Sequence, residues 1–446
     1  MGNVLSNCPN ETIEFSKINL ENISQSCEVI CPSGQYNNNN TICVDCSAGT
    51  YQDLSGQKSC KSCEIGKYQN LTGQIYCNVC PSSGITLSTG STSISDCKNR
   101  IFVYSGWLTN YINFSSYLGT SLNSTFINST INLSTINTAG ISNLVASKIP
   151  NVNIWIAMHG NPPPNNYNLF YCVNPNKTPV TWTSSFVTNY GGFEGNDSDN
   201  NDLLDCSNSH FLYGSGLGNL FYSTDGINWA LRSKLNIDKI MFVKYINNMW
   251  VIAGVPNIRT QNKSIWYCQS SNPTGNNWGI SNSNFSTSCK SIDFGGNKYV
   301  AIGTHNNLPA TFYSSDCITW IQLLIYGSNP YTSNPRKIIH ISSISRWFII
   351  SSSSIFHQST SNINSNITAT GWIQLGLGYL TGTNSITPIT NIKHGIDDYN
   401  NIFIILINNT KNFCYIVEYD PTITNISSSN KRTLSFPIST MEFGLV

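Results

Sequence analysis

The residues of this chain with chemistry to offer are 16 cysteines, six histidines, six arginines and 22 carboxylates in 446 positions. Cysteine carries the strongest pattern. Ten of the 16 fall before residue 98: Cys8, Cys27, Cys31, Cys43, Cys46, Cys60, Cys63, Cys77, Cys80 and Cys97. Three Cys-x-x-Cys pairs, Cys43 with Cys46, Cys60 with Cys63 and Cys77 with Cys80, recur every 17 residues. Such pairs can hold zinc in two knuckles, exchange thiols, or close structural disulfides. Thiol exchange wants a βαβ context, which is absent here. Zinc spacing fits superficially, but so many cysteines in a loop-rich chain favour an oxidised protein.

Other chemistry is sparser. Glycoside hydrolysis needs two cooperating carboxylates, and no recognisable pair occurs. The histidines at 159, 210, 305, 340, 357 and 394 lack metal-ligand spacing. One acidic stretch begins like a calcium loop, with Asp197, Asp199 and Asp205 as candidate ligands. Asp202 stands where that loop needs its turn glycine and no glutamate closes it, so a solvated loop is the default and calcium the weaker reading. Gly214-Ser-Gly216-Leu-Gly218 lacks the strand–helix context of a phosphate site. No cofactor is expected.

Composition narrows the class. A net charge of +1 with 10% charged residues excludes a partner recognised through phosphate neutralisation, so nucleic acid is not expected. Hydrophobic residues make up 40%, enough for a core, but no run approaches the ~18 apolar residues of a membrane span. The first residues lack a basic and apolar leader. Gly2 with Ser6 fits the myristoylation pattern, although one acyl chain anchors only marginally. Asparagine fills 61 positions and generates 15 Asn-x-Ser/Thr sequons, among them Asn113, Asn123, Asn128, Asn132, Asn262, Asn284, Asn366 and Asn408. Many arise by chance, and glycosylation depends on the secretory route.

The elements that must carry these residues fall into three segments: 1–30, a cysteine-repeat segment at 31–98, and 99–446. In the second, Cys46-Ser-Ala-Gly49-Thr-Tyr51 and Cys63-Glu-Ile-Gly66-Lys-Tyr68 are followed by Gly56-Gln57 and Gly73-Gln74. This pattern resembles the ephrin-receptor-like cysteine-rich repeat, a relative of tumour-necrosis-factor-receptor modules, whose cysteines pair as disulfides. The resemblance implies a rod with local pairs Cys31–Cys43, Cys46–Cys60, Cys63–Cys77 and Cys80–Cys97, leaving Cys8–Cys27.

Beyond Arg100 short alternating strands are separated by Asn, Gly, Ser and Pro clusters. Six units share a second strand, such as Trp250-Val-Ile-Ala-Gly and Tyr299-Val-Ala-Ile-Gly, and a third, such as Leu220-Phe-Tyr-Ser and Thr311-Phe-Tyr-Ser. Five reach a tryptophan (Trp182, Trp229, Trp278, Trp320, Trp372) at intervals of 42 to 52 residues, the length of a four-stranded propeller blade. Residues 101 to about 140, with the tail from Arg432, provide a seventh. The fold class expected is all-β: a disulfide-rich rod and a β-propeller, seven blades favoured over six.

Two turns, Ser223-Thr-Asp225-Gly226-Ile-Asn-Trp229 and Ser314-Ser-Asp316-Cys317-Ile-Thr-Trp320, resemble the Asp-box of sialidase-type and photosystem-assembly-factor-type propellers, shortened by one residue. In such a box Ser and Asp lock the turn, so these residues are structural. The resemblance would allow a sialidase, but the arginine triad and Tyr–Glu pair of that family are not recognisable, and no enzyme is expected. Cys172 and Cys268 hold equivalent third-strand positions, which suggests blade-to-blade disulfides Cys172–Cys206 and Cys268–Cys289; Cys317 and Cys414 stay unassigned.

A stalk with a propeller head is the layout of a displayed binding protein. With the Asn- and Ile-rich composition it resembles surface proteins of giant DNA viruses of protists. That resemblance implies a capsid-associated attachment fibre on the virion surface, a homo-oligomer being compatible with it. Its partners would be host surface glycans or other capsid proteins. An extracellular adhesion protein of an AT-rich protist is the alternative.

Overall fold

The computed structural model describes residues 29–38, 42–81, 84, 86 and 88–98 of the cysteine-rich segment. Beyond it, the described residues are 100–106, 111–116, 127–130, 141–159, 169–173, 181–187, 202–323, 335–351, 355–359, 373–375, 389–396, 402–408, 413–418, 431–433 and 438–445, with short gaps in the longer runs. Gly2, Cys8, Cys27, Asn123, Asn132, Asp197, Asp199, Asn262, Asn284 and Asn366 lie outside them. The chain divides into two compact units after Arg100.

In the first unit the disulfides are Cys31–Cys43, Cys46–Cys60, Cys63–Cys77 and Cys80–Cys97, with Cα separations of 5.4 to 5.8 Å. Between them a backbone ladder repeats. Cys46, Cys63 and Cys80 donate N–H to the carbonyls of Gly34, Gly49 and Gly66, while Gly56, Gly73 and Gly90 donate to those of Cys31, Cys46 and Cys63. Gly34 and Gly49 sit at φ of +85° and +82°, and a Cβ on either would collide with the carbonyl of Gly73 or Gly90. Only glycine lets successive repeats approach this closely. Gln52 and Gln69 are buried, and each clamps its loop: the side-chain amides donate to Ser59 and Tyr76 carbonyls (2.6 and 2.8 Å) and accept from Leu54 and Leu71 N–H (3.2 and 3.1 Å). Here disulfides and buried amides stand in for an apolar core.

The second unit is a β-propeller whose described residues form seven sheets and no α-helix. Blade 1 comprises Ile141–Ala146, Ile154–His159, Leu169–Val173 and Thr183–Ser184. Blade 2 comprises Leu204–Cys206, Phe211–Gly214, Leu220–Ser223 and Asn228–Leu231. Blade 3 holds Ile237–Ile246, Met249–Pro256, Ile265–Cys268 and Gly279–Ile280; blade 4 holds Ser288–Gly295, Lys298–His305, Leu308–Ser314 and Ile321–Gln322. Blade 5 runs through Pro335–Ile341, Arg346–Ser351, Ile355–Ser359 and Ile373–Leu375, and blade 6 through Ile389–Ile396, Ile402–Asn408, Phe413–Glu418 and Lys431–Thr433. Blade 7 is a composite: Ile438–Leu445 pairs with Arg100–Gly106, which continues to Tyr111–Ser116 and Ile127–Thr130. The tail contribution therefore begins later than Arg432, because 431–433 completes blade 6. Closure with both chain ends removes the exposed edge.

First strands of blades 1 to 6 pack in sequence around the ring. Bulges near their starts, at 141/143, 237/239, 289/291, 335/337 and 389/391, mark five of them. The core lies between sheets: one cluster joins blades 1, 2 and 3, a second joins blades 3 and 4, and a third blades 4 and 5. Trp155, Trp250 and Trp347, all fully buried, occupy second strands. Hairpins close on two residues of positive φ, Asn247-Asn248 (+49°, +60°), Gly296-Asn297 (+56°, +59°) and Asn306-Asn307 (+50°, +61°). That geometry matches the twist of the strands and suits asparagine better than any other side chain.

Candidate functional site

The two Asp-box turns form the same hydrogen-bond set in blades 2 and 4. Ser223 Oγ accepts from Asp225 and Gly226 N–H (3.3 and 2.8 Å) and donates to Asp225 Oδ1 (2.9 Å). Asp225 Oδ1 accepts from the N–H of Ile227 and Asn228, both at 2.8 Å, and Trp229 Nε1 donates back to the Gly226 carbonyl at 3.2 Å. Ser314, Asp316 and Trp320 repeat each contact within 0.1 Å, with Cys317 replacing the glycine at φ +63°. Burial alone would push the Asp225 and Asp316 carboxyls up, but the converging N–H donors outweigh it and hold both below the ordinary carboxylate value.

These turns also clasp neighbouring blades. Phe186–Val187, leaving blade 1, pairs in parallel with Asn228 and Trp229, and Ser185 Oγ donates to the Gly226 carbonyl at 3.1 Å. Asn282, leaving blade 3, bridges in parallel to Thr319 and donates N–H to the Ile318 carbonyl at 2.7 Å. Beside this second clasp lies a shallow groove of about 420 Å³ lined by Lys263, Ile280, Ser281, Asn282 and Ile318. Lys263 Nζ donates to Asn282 Oδ1 at 3.1 Å. The groove thus offers an ammonium and an amide over an aliphatic floor, a setting for a small polar ligand with one apolar face.

Lysine–aspartate pairs link the blades at or beside their first strands. Lys148 of blade 1 holds Asp205 of blade 2 at 3.1 Å, whose other oxygen accepts the Tyr245 N–H of blade 3 at 2.8 Å. Two blades on, Lys244 holds Asp293 at 2.9 Å, which accepts the His340 N–H of blade 5 at 2.8 Å. Lys337 of blade 5 reaches Asp202, just ahead of blade 2, at 2.9 Å. Of the calcium candidates only Asp205 is described, and its oxygens accept from a lysine and two backbone N–H groups. Among the described residues no group of three or more His, Cys, Asp or Glu could hold a metal ion. Neither these pairs nor the Gln52 and Gln69 clamps were anticipated; the only sequence signal was the spacing of the residues within repeats.

The expected inter-blade disulfides are not formed. Cys172, Cys206, Cys268 and Cys289 are free and buried, as is Cys317. Cys206 Sγ lies 3.3 Å from the Lys148 N–H at the innermost hairpin of blade 1, whereas Cys172 sits two strands farther out. Two strand spacings are ~10 Å, beyond the ~7 Å that a disulfide spans between Cα atoms. Cys268 turns toward the Asn272 carbonyl of its own loop (3.8 Å), away from Cys289 in the first strand of blade 4. Burial pushes the Cys172 and Cys206 thiols up to about 12, so both are neutral core fillers. Of the sequons, Asn113 and Asn128 face each other across two strands of blade 7, and Asn408 ends a strand of blade 6.

Residues 55–97 match the family described as tyrosine-protein kinase ephrin type A/B receptor-like. No curated protein matches the sequence. Among solved structures, a protein from Lactobacillus plantarum aligns over 78% of this chain and 99% of its own at 10% identity and a TM-score of 0.53. A 6-phosphogluconolactonase candidate from Bacteroides fragilis aligns over 79% and 99% at 9% identity and a TM-score of 0.52. YCF48 from Cyanidioschyzon merolae aligns over 68% and 94% at 12% identity, with a TM-score of 0.42. At such identities the first two likenesses speak for the propeller fold alone. The chain therefore joins ephrin-receptor-like cysteine-rich repeats with four disulfides to a β-propeller.

Proposed function

We propose that this chain is a non-enzymatic binding protein displayed on a surface facing an oxidising medium, with the cysteine repeats as stalk and the propeller as ligand-binding head. The observation that carries this reading is where the carboxylates go. Of six described carboxylates between residues 141 and 351, five (Asp202, Asp205, Asp225, Asp293, Asp316) hold lysines, backbone N–H groups or turns. Asp238 stands exposed in the first strand of blade 3. Glycoside hydrolysis needs two carboxyls cooperating across a substrate, and these five serve architecture instead. The four disulfides support an oxidising environment.

The setting favoured by the Asn- and Ile-rich composition is the surface of a giant-virus particle, with a host glycan or another capsid protein as ligand and the Lys263 groove as one contact. The test joins location and activity. Immunolabelling should decorate purified particles, and the intact protein should retain glycans from an array without converting them. Labelling of protist cell surfaces alone would move the protein to extracellular adhesion. Turnover of a sialoside or of 6-phosphogluconolactone would replace the binding reading with an enzymatic one.

A further inference from the structure

We infer that Asn70, on the third cysteine-rich repeat, is an N-glycosylation site. Asn70-Leu71-Thr72 is a sequon whose three residues are all exposed, in a bend between Lys67–Tyr68 and Asn78–Val79. The bend is fixed from behind: buried Gln69 accepts the Leu71 N–H and donates to the Tyr76 carbonyl, and Gly73 N–H donates to the Cys46 carbonyl. The sequon is thus presented outward on a held backbone.

The preceding repeat shows what has changed. There the equivalent corner carries Asp53, ion-paired with Lys61 at 2.6 Å. Seventeen residues on, these positions are Asn70 and Asn78, so the pair is lost and the corner amide is left exposed. Among the described residues the other sequons lie in strands: Asn113 in Tyr111–Ser116, which is hydrogen-bonded to a strand on each side, Asn128 as its cross-strand partner, and Asn408 at the end of Ile402–Asn408. A second observation concerns apolar surface. Leu71 is 58% exposed, and Ile65, Ile75 and Tyr76 of the same repeat are 55%, 48% and 59% exposed. A polar oligosaccharide beside Leu71 would shield surface that otherwise invites association.

In the transfer, Asn70 Nδ2 forms a bond to the anomeric carbon of an oligosaccharide carried on a polyprenyl diphosphate. The C–O bond to the diphosphate breaks with its electron pair, and the amide proton passes to a base of the transferase. The test is the full chain secreted from eukaryotic cells, deglycosylated in heavy-oxygen water and mapped by peptide mass. Labelled aspartate should appear at position 70. Asn70→Gln and Thr72→Ala should each remove one glycan from the intact mass, and Thr72→Ser should restore it. Unmodified Asn70 in the secreted protein, whether or not other sequons are occupied, overturns the proposal.

Discussion

At the scale of single residues, the Ser–Asp turns show how much structure a few polar atoms can hold. Gly226 sits at φ +73° with space for a Cβ only 2.6 Å from Ile156 Cδ1 of the neighbouring blade. Gly226→Ala should therefore destabilise by about 2–4 kcal/mol in denaturant unfolding, combining left-handed backbone cost with overpacking. The Asp225 and Asp316 carboxyls lie below their ordinary value near 3.8, so the stability they contribute is present above that pH and lost as pH falls below it. His210 and His340 are lowered from 6.5, chiefly by burial, and Asp293 partly offsets this at His340. Their contribution is complete above 6.5 and declines as pH falls. Acid titration of the melting temperature should show two descents, one beginning below ~6.5 and one below ~3.8; a flat profile between pH 7 and 5 would remove the histidine share. The turns were legible in sequence because their bonds are local, side chain to backbone within three residues. The cysteine ties fail because a third strand lies two strands out from the first strand of the next blade, a separation that succession along the sequence does not show.

At the scale of elements, the cysteine ladder and the blades divide along the same line. The disulfide pairing that the resemblance to the ephrin-receptor-like repeat implies is the one formed, each unit closing on itself within 12 to 17 residues. Gln52 and Gln69 gave no such signal, since a buried amide is recognisable only once the coil around it exists. Gln69→Ala should cost about 1–3 kcal/mol by stranding the Leu71 N–H and Tyr76 carbonyl. Loss of the Cys46–Cys60 bridge should cost roughly 3 kcal/mol. Limited proteolysis under reducing conditions should cut within residues 31–97 while fragments of 202–323 persist, because the propeller's described thiols are free and its core is apolar.

At the scale of the whole propeller, blade count followed from the period of the repeats, but the lysine–aspartate pairs did not. Lysines and aspartates on or beside the first strands look like solvated charge until the ring brings blade 1 beside blade 2 and blade 5 within reach of blade 2. Lys337 and Asp202 keep only 10% and 22% of their side-chain surface exposed. Lys337→Met should cost about 3 kcal/mol by removing the ammonium that meets both Asp202 oxygens, and the Asp202→Asn/Lys337→Met double variant should recover part of it. Truncation before Ile438 should convert one cooperative melt into a broader, aggregation-prone transition, because it reopens the edge of Arg100–Gly106.

The composite blade also sets how the ring would carry load. The covalent path out of the last disulfide loop, closed at Cys97, enters the propeller through Arg100–Gly106, a strand flanked by Ile438–Leu445 on one side and Tyr111–Ser116 on the other. A pull arriving along that path meets a tether stitched along both borders, so detachment has to break the hydrogen bonds of two ladders where an edge strand would offer one.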